Sequence, residues 1–372
     1  STLLASSAAS DVYKRQEELI MSQEKIIGDT YPKYKVAAVQ TTPVFLNRDA
    51  TIEKVVEKVK EAKANGASLV VFPESFVPTF PYWCLFLPPV DQHPLYKRLF
   101  ENAVEIPGAA FNSLQQIAHE NEVYLSIGVC EKSTVNFGTM WNTSLLFDPE
   151  GNLIGHHRKI LPTWGEKLVW SFGDGSSLKT HDTKLGRIGT LICGENSNTL
   201  ARYALGAQGE QLHISIYPAC WPTFRASTNY EDCLRIRTCA HAFESKVYNI
   251  CCSAVFDTDA IEQMSLGDEK TAEWLHNLPN TNKPYAMTMV AAPNGTPCSE
   301  VLTDNQEGIV YADIDISSEI NAKGIHDIYG AYQRFDIFQL SVNKTHRLPA
   351  YSYNDGNDES EELYSYTEPE IE

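Results

Sequence analysis

Cys193 closes a short strand-like run, residues 187–192, and is followed at once by Gly194, Glu195 and Asn196. A cysteine set where a strand turns into a helix is lifted above its sheet, and the first backbone N–H groups of the turn point at the sulfur. Such dipoles are expected to draw the thiol below its ordinary pKa of about 8.5 and to favour the nucleophilic thiolate. A lone cysteine is more often a small packing residue, and it is the Gly-Glu-Asn that follows which favours the reactive reading. Glu74 comes after Pro73 at the end of another apolar run, residues 67–72, on the rim where α/β proteins place their sites. Partial burial would raise its pKa and suit it to shuttle a proton; the plainer alternative is a rim glutamate paired with a surface lysine. Lys159 ends the stretch Gly155-His156-His157-Arg158. Its charge suits stabilisation of an anion on a substrate nitrogen or oxygen, against the plainer reading of one member of a basic surface strand. His156 and His157 invite a metal reading, but no carboxylate or cysteine stands at ligand spacing, so no metal and no other cofactor is expected. An acid/base, a cation and a thiol at three strand ends form the minimum set for hydrolysis through a covalent intermediate.

The elements that must position these residues alternate. Residues 35–40 are a short apolar run, residues 50–64 carry Ile52, Val55, Val56 and Val59 at the spacing of one helical face, and residues 67–72 are a near-continuous apolar run. Strand, helix, strand within forty residues is a βαβ unit. A helix over 112–120 and a strand over 123–129 follow. Strands 141–147 and 153–157 flank the turn Asp148-Pro149-Glu150-Gly151-Asn152, and strands 178–183 and 187–193 flank Lys184-Leu185-Gly186. Asn196 or Asn198 caps a helix running to Gly209; a strand over 212–217, a helix over 228–246 and a strand over 247–255 complete the pattern. Hairpins mixed with βαβ units imply an α/β fold with mixed sheets.

Composition narrows the function. The 372 residues are 43% hydrophobic and 21% charged, an ordinary globular balance, and the net charge of -18 excludes a phosphate-binding role that needs clustered Lys and Arg. No nucleic-acid partner is expected, and with no apolar run of membrane-spanning length, no membrane partner either. Nine cysteines without paired spacing suit a reducing, cytoplasmic setting rather than a disulfide framework. Residues 1–33 are expected to be a tail, in part foreign to the protein and without fixed structure, because low-information sequence precedes Met21. Residues 34–320 form the single domain expected, and 321–372 a terminal segment ending in eight carboxylates with no Lys or Arg after residue 352.

Three segments, Val70-Val71-Phe72-Pro73-Glu74-Ser75, His157-Arg158-Lys159-Ile160-Leu161-Pro162-Thr163 and Leu191-Ile192-Cys193-Gly194-Glu195-Asn196, occur in this order. In them the chain resembles the nitrilase superfamily of carbon–nitrogen hydrolases, over about residues 35–343. The resemblance implies a four-layer α-β-β-α sandwich that dimerises into an αββααββα block. It makes Glu74 the general base and acid, Lys159 the charge stabiliser, Cys193 the nucleophile, and Glu166 the second glutamate that holds the lysine. Cys193-Gly194-Glu195-Asn196 is similar to the true nitrilase branch, whereas aliphatic amidases show a Cys-Tyr-Asp type sequence; residues 162–175, 208–214 and 217–222 also look like nitrilases. The implied reaction converts a nitrile to a carboxylic acid and ammonia without a cofactor. Tyr82, Trp164, Gly194 and Trp221 are the expected substrate-binding residues, and their apolar walls suit an aromatic or arylaliphatic nitrile. The partners implied are the nitrile and further copies of the chain, as dimers able to build a spiral filament, although Tyr332-Gln333-Arg334-Phe335-Asp336 departs from the Ser-Arg-Pro-Asp run of relatives at an oligomer contact. Cyanide hydratase or dihydratase and amidase chemistry use the same residues and stay open, as does a catalytically silent filament-forming scaffold, which four intact catalytic positions disfavour.

Overall fold

The computed structural model describes residues 31–221, 230–278 and 286–346. Two sheets lie face to face. The first holds β1 (Lys33–Gln40), β2 (Ala67–Val71), β3 (Val104–Glu105), β4 (Tyr124–Lys132), β5 (Met140–Phe147), β6 (Leu153–Arg158) and β13 (Gly308–Asp315), in the order β13-β1-β2-β4-β5-β6 with β3 beside β4. The second holds β7 (His181–Thr183), β8 (Gly186–Ile192), β9 (Leu212–Tyr217), β10 (Tyr248–Ser253), β11 (Met287–Ala291) and β12 (Leu302–Thr303), in the order β12-β11-β10-β9-β8-β7. Strands β1, β2 and β4 run parallel, as do β8, β9 and β10, and antiparallel strands flank each set.

Successive side chains of a strand point to opposite faces, and both faces are covered here. In β1, Val36 and Ala38 meet the second sheet, while Ala37 and Val39 meet helices. The inter-sheet core joins Val36, Leu69 and Val71 to Ile188, Ile192, Leu212, Ile214, Ile216 and Ile250. Outside the first sheet lie α1 (Arg48–Ala64) and α3 (Ala109–Asn121), through Val55, Val59, Phe111, Leu114 and Ile117. Outside the second lie α4 (Thr199–Gly206) and α5 (Tyr230–Ser245), through Ala201, Leu205, Leu234 and Ala242. The result is the expected α-β-β-α sandwich. Asn47 caps α1 by accepting from Ala50 N at 3.1 Å, and Asn198, one of the two expected caps, accepts from Leu200 N and Ala201 N to start α4.

Helices α2 (His93–Asn102), α6 (Asp259–Met264), α7 (Glu269–His276) and α8 (Ser318–Ile325), and the strands β11 to β13, are additions to the expected pattern. The helix after Cys193 stops at Gly206 rather than Gly209, because Gly209 sits at φ +81° in the turn beyond it. The expected boundary near residue 321 falls inside α8, and the chain continues with Tyr329 packed on Tyr203 of α4, ring centroids 5.0 Å apart. Most of the N-terminal tail, the start of the 228–246 helix and the acidic tail lie outside the described residues. Among the described residues, no helix is long and apolar enough to cross a membrane.

Ile214 is fully buried at the centre of the inter-sheet core. Ile214→Ala should lower the unfolding free energy by about 2–5 kcal/mol, read as a lower denaturant midpoint at unchanged slope. An unchanged midpoint would contradict the packing of the two sheets on one another.

Candidate active site

Glu74 leaves the end of β2 on a segment laced to β4, with Phe72 N donating to Ser126 O at 2.8 Å and Gly128 N to Pro73 O at 3.1 Å. Gly128 makes this approach possible, since a Cβ there would stand 2.7 Å from the Glu74 Cα and closer still to the backbone on either side. Lys159 follows β6, its N–H donating to Asn142 O and its carbonyl accepting from Gly173 N, both at 2.8 Å. Glu166 lies in a single helical turn, Trp164–Leu168, and its Oε2 accepts from Thr163 N at 2.8 Å. Cys193 opens the turn Cys193–Ser197 directly after β8, at φ +50°. Thus one sheet supplies the carboxylates and the cation, and the other supplies the sulfur.

Three of the four expected catalytic side chains are in direct contact, and the fourth, Cys193, lies within the reach of their charges. Lys159 Nζ donates to Glu74 Oε1 at 2.8 Å and to Glu166 Oε2 at 2.7 Å, with all three residues buried. Asn142 Nδ2 also donates to Glu74 Oε1, at 2.6 Å. Glu74 Oε2 is buried and has no hydrogen-bond partner among the described residues, so one carboxylate oxygen is tied down and the other is open to a proton. Burial, helped by the Glu166 charge and opposed by Lys159, pushes Glu74 up to about 7. Burial works against the charge on Lys159, yet Glu74 and Glu166 hold its pKa well above the ordinary lysine range.

The expectation of a lowered thiol pKa is overturned. Burial pushes the Cys193 thiol up, the Glu74 charge adds to the rise, and Lys159 and Arg237 only partly oppose it. The turn after Cys193 is five residues long, too short to carry the dipole of a full helix. The resting pair is therefore a neutral thiol beside a carboxylate able to take its proton.

The structure separates the expected substrate-binding residues. Tyr82 and Trp221 are buried together; their rings meet edge to face at 6.1 Å, and Phe256 stacks on Trp221 at 4.2 Å. Gly194 adjoins the Lys159 loop, since a Cβ there would stand 3.0 Å from Thr163 Oγ1. Trp164, by contrast, is 64% exposed. Its backbone, at φ +47°, instead turns the chain that brings Glu166 inward. His156 and His157 do have carboxylate partners, distant in sequence: His156 Nε2 lies 2.9 Å from Glu131 Oε2, and His157 Nε2 lies 2.9 Å from Glu195 Oε2. Nothing in the local spacing of Asn142 or Phe256 marks them; only the strand pairing and the fold bring Asn142 to Glu74 and Phe256 onto Tyr82 and Trp221.

Comparison with known proteins agrees with this geometry. The carbon-nitrogen hydrolase family model matches residues 35–323. The chain belongs to the carbon–nitrogen hydrolase family. The hydrolase is 35% identical to a nitrilase of Bacillus sp. (strain OxB-1) over 86% of its own length and 91% of the relative's. It is 31% identical to a cyanide hydratase of Microdochium sorghi, over 84% of each chain. Its fold is similar to that of Saccharomyces cerevisiae Nit3, a member of branch 10 of the nitrilase superfamily, with a TM-score of 0.60, 20% identity, and 81% of this chain and 97% of that one covered.

As the expected general base, Glu74 has to be ionised to accept the thiol proton, so in that role protonating it blocks the first step. Since its pKa is raised to about 7, kcat/KM should fall about tenfold per pH unit below that value. A limb at the ordinary glutamate value of about 4.3 would show that Glu74 is not the base.

Proposed function

We propose that this hydrolase is a nitrilase. The observation that carries the reading is the Lys159 ammonium held between Glu74 and Glu166, with the partly buried, neutral Cys193 thiol within reach of their charges. The Cys193 sulfur bonds to the nitrile carbon as its proton passes to Glu74, and one C–N π bond opens to a thioimidate whose nitrogen is protonated from Glu74. Lys159 and the backbone N–H groups near Gly194 offset negative charge on that nitrogen. Water adds to the thioimidate carbon, the C–N bond breaks with release of ammonia, and a thioester remains on Cys193. A second water, deprotonated by Glu74, displaces the sulfur, which recovers its proton, and the carboxylic acid leaves. Tyr82, Trp221 and Phe256 form an apolar aromatic wall that suits aromatic or arylaliphatic nitriles. The likeness to a cyanide hydratase supports a second reading, in which the sulfur leaves before ammonia and the product is an amide.

The decisive measurement follows acid, amide and ammonia together from phenylacetonitrile, with Cys193→Ala alongside. Acid and ammonia in equal amounts, absent in the variant, are expected. Amide as main product would favour the hydratase reading, and ammonia from amides with no nitrile turnover would move the protein to amidase chemistry.

We further propose that the protein self-associates through its terminal segment, where Tyr332, Phe335, Ile337 and Phe338 are all exposed, an apolar surface of the kind that marks protein contacts. Mass measurement in solution should find assemblies larger than one chain, and Phe335→Asp with Phe338→Asp should reduce their size. A monomer at all concentrations would refute this.

A further inference from the structure

Outside the triad, Glu210, His213 and His241 form a second buried ionisable cluster between the second sheet and its helices. Their types are those of metal ligands, and their ligand atoms lie within 4.8 Å of one another. The atoms that would face an ion are already bonded to each other, however. Glu210 Oε1 lies 2.6 Å from His213 Nδ1, and Glu210 Oε2 lies 2.9 Å from His241 Nε2. The cluster is complete as a hydrogen-bond network.

Asn196 sets the direction. Its Nδ2 donates to two carbonyls, Leu191 O and Cys193 O, both at 3.1 Å, which can only accept. Its Oδ1 therefore faces His213 Nε2 at 2.9 Å and Ser215 Oγ at 2.9 Å, so Nε2 must carry a proton. On the other side of the ring, Nδ1 faces a carboxylate oxygen. His213 and His241 hold the Glu210 carboxylate down at about 2 against the effect of burial. His241 is neutral, lowered to about 4 by burial and by His213; its Nε2–H donates to Glu210, and its Nδ1 accepts from Ser245, whose Oγ lies 2.7 Å from Tyr329 Oη. The other charged groups at the cluster are Lys323, whose Nζ donates to Glu210 O at 3.3 Å, and Arg202, whose field also lowers His241. Space for the carboxylate is built in: Gly189 pairs with His213 across β8 and β9, and a Cβ there would overlap Glu210 Oε1.

We propose that His213, anchored by Glu210, acts as a positioning residue for Cys193: its Nε2–H fixes Asn196 Oδ1, and the Asn196 amide in turn holds the Cys193 and Leu191 carbonyls that frame the nucleophile's positive-φ turn. This rests on the reading of Cys193 as the nucleophile. His213 touches no reacting atom; it acts on where the sulfur sits, which geometry-sensitive attack makes costly to disturb.

Neutron diffraction from crystals of the whole enzyme at neutral pH reads the proton count directly and depends on no variant. Deuterium on His213 Nε2, aimed at Asn196 Oδ1, is expected; an Nε2 without deuterium, or an Asn196 amide turned the other way, overturns the proposal. In solution, His213→Gln and Glu210→Ala should slow both kcat and alkylation of Cys193 by iodoacetamide by about 100-fold with KM little moved, and Glu210→Gln, which can still hydrogen-bond both histidines, should recover most of the loss. Folded variants that keep the parent kcat and alkylation rate, or that raise KM alone, overturn the positioning role. If Cys193→Ala still turns over substrate, the nucleophile reading fails instead, while the neutron result stands on its own.

Discussion

The site depends on burying three charges as a single unit. A lone carboxylate or ammonium taken out of water costs several kcal/mol even after relaxation. Lys159 offsets that cost because two carboxylates hold it from opposite sides, Glu74 at 2.8 Å and Glu166 at 2.7 Å. With Glu74 ionised, the three buried side chains carry one net negative charge; with Glu74 protonated, they are neutral. In the proposed mechanism, moving the thiol proton onto Glu74 relieves the excess charge in the triad just as negative charge grows on the substrate. This accounts for Glu74 poised at about 7 beside a thiol that burial keeps protonated: the acid and base are matched as a pair, and the sulfur needs no standing negative charge.

Such a pair works only if the two sheets keep their relative position, and Glu195 ties them together at the site. Its Oε1 accepts from Ile160 N at 2.7 Å, next to Lys159, while its Oε2 accepts from Ile192 N at 2.8 Å, next to Cys193. The same Oε2 faces His157 Nε2 on β6. Burial opposes both charges, yet each lowers the cost of the other: Glu195 lifts His157, and His157 pulls Glu195 down. The apolar inter-sheet core supplies attraction, but apolar contact is non-directional and tolerates sliding. The directional bonds of one carboxylate to both strand ends set the separation of cation and sulfur.

Local chemistry was legible in the sequence where one segment carries its own signal. The strand ends that present Glu74, Lys159 and Cys193, the continuous apolar runs of strands covered on both faces, and the Asn198 cap all follow from patterns a few residues long. What escaped depends on partners far along the chain. Asn142, Glu131 and Phe256 acquire their roles only when β4 pairs with β5 and the aromatic cluster closes, and no spacing rule reaches across those separations. The thiol pKa was misjudged because strand-to-turn geometry suggests a helix dipole, whereas the turn is short and the burial and the Glu74 field come from other elements.

Strain shows how firmly the surroundings hold the site. Ser75, Trp164 and Cys193, each beside or within the catalytic set, adopt positive φ without being glycine, a conformation costing about 1–2 kcal/mol per residue. Each is opposed by a local restraint. Ser75 Oγ donates to Thr79 O at 3.0 Å, the Trp164 turn is closed by Glu166 accepting from Thr163 N, and the Cys193 carbonyl is held by Asn196. Relaxing any one of these turns would swing a carboxylate or the sulfur away from Lys159, and the triad's charges would then lose the partners that make their burial tolerable. The strained turns and the buried ions thus stabilise one another: the ions need side chains delivered from abrupt chain reversals, and the reversals persist because releasing them would strand a charge in the interior.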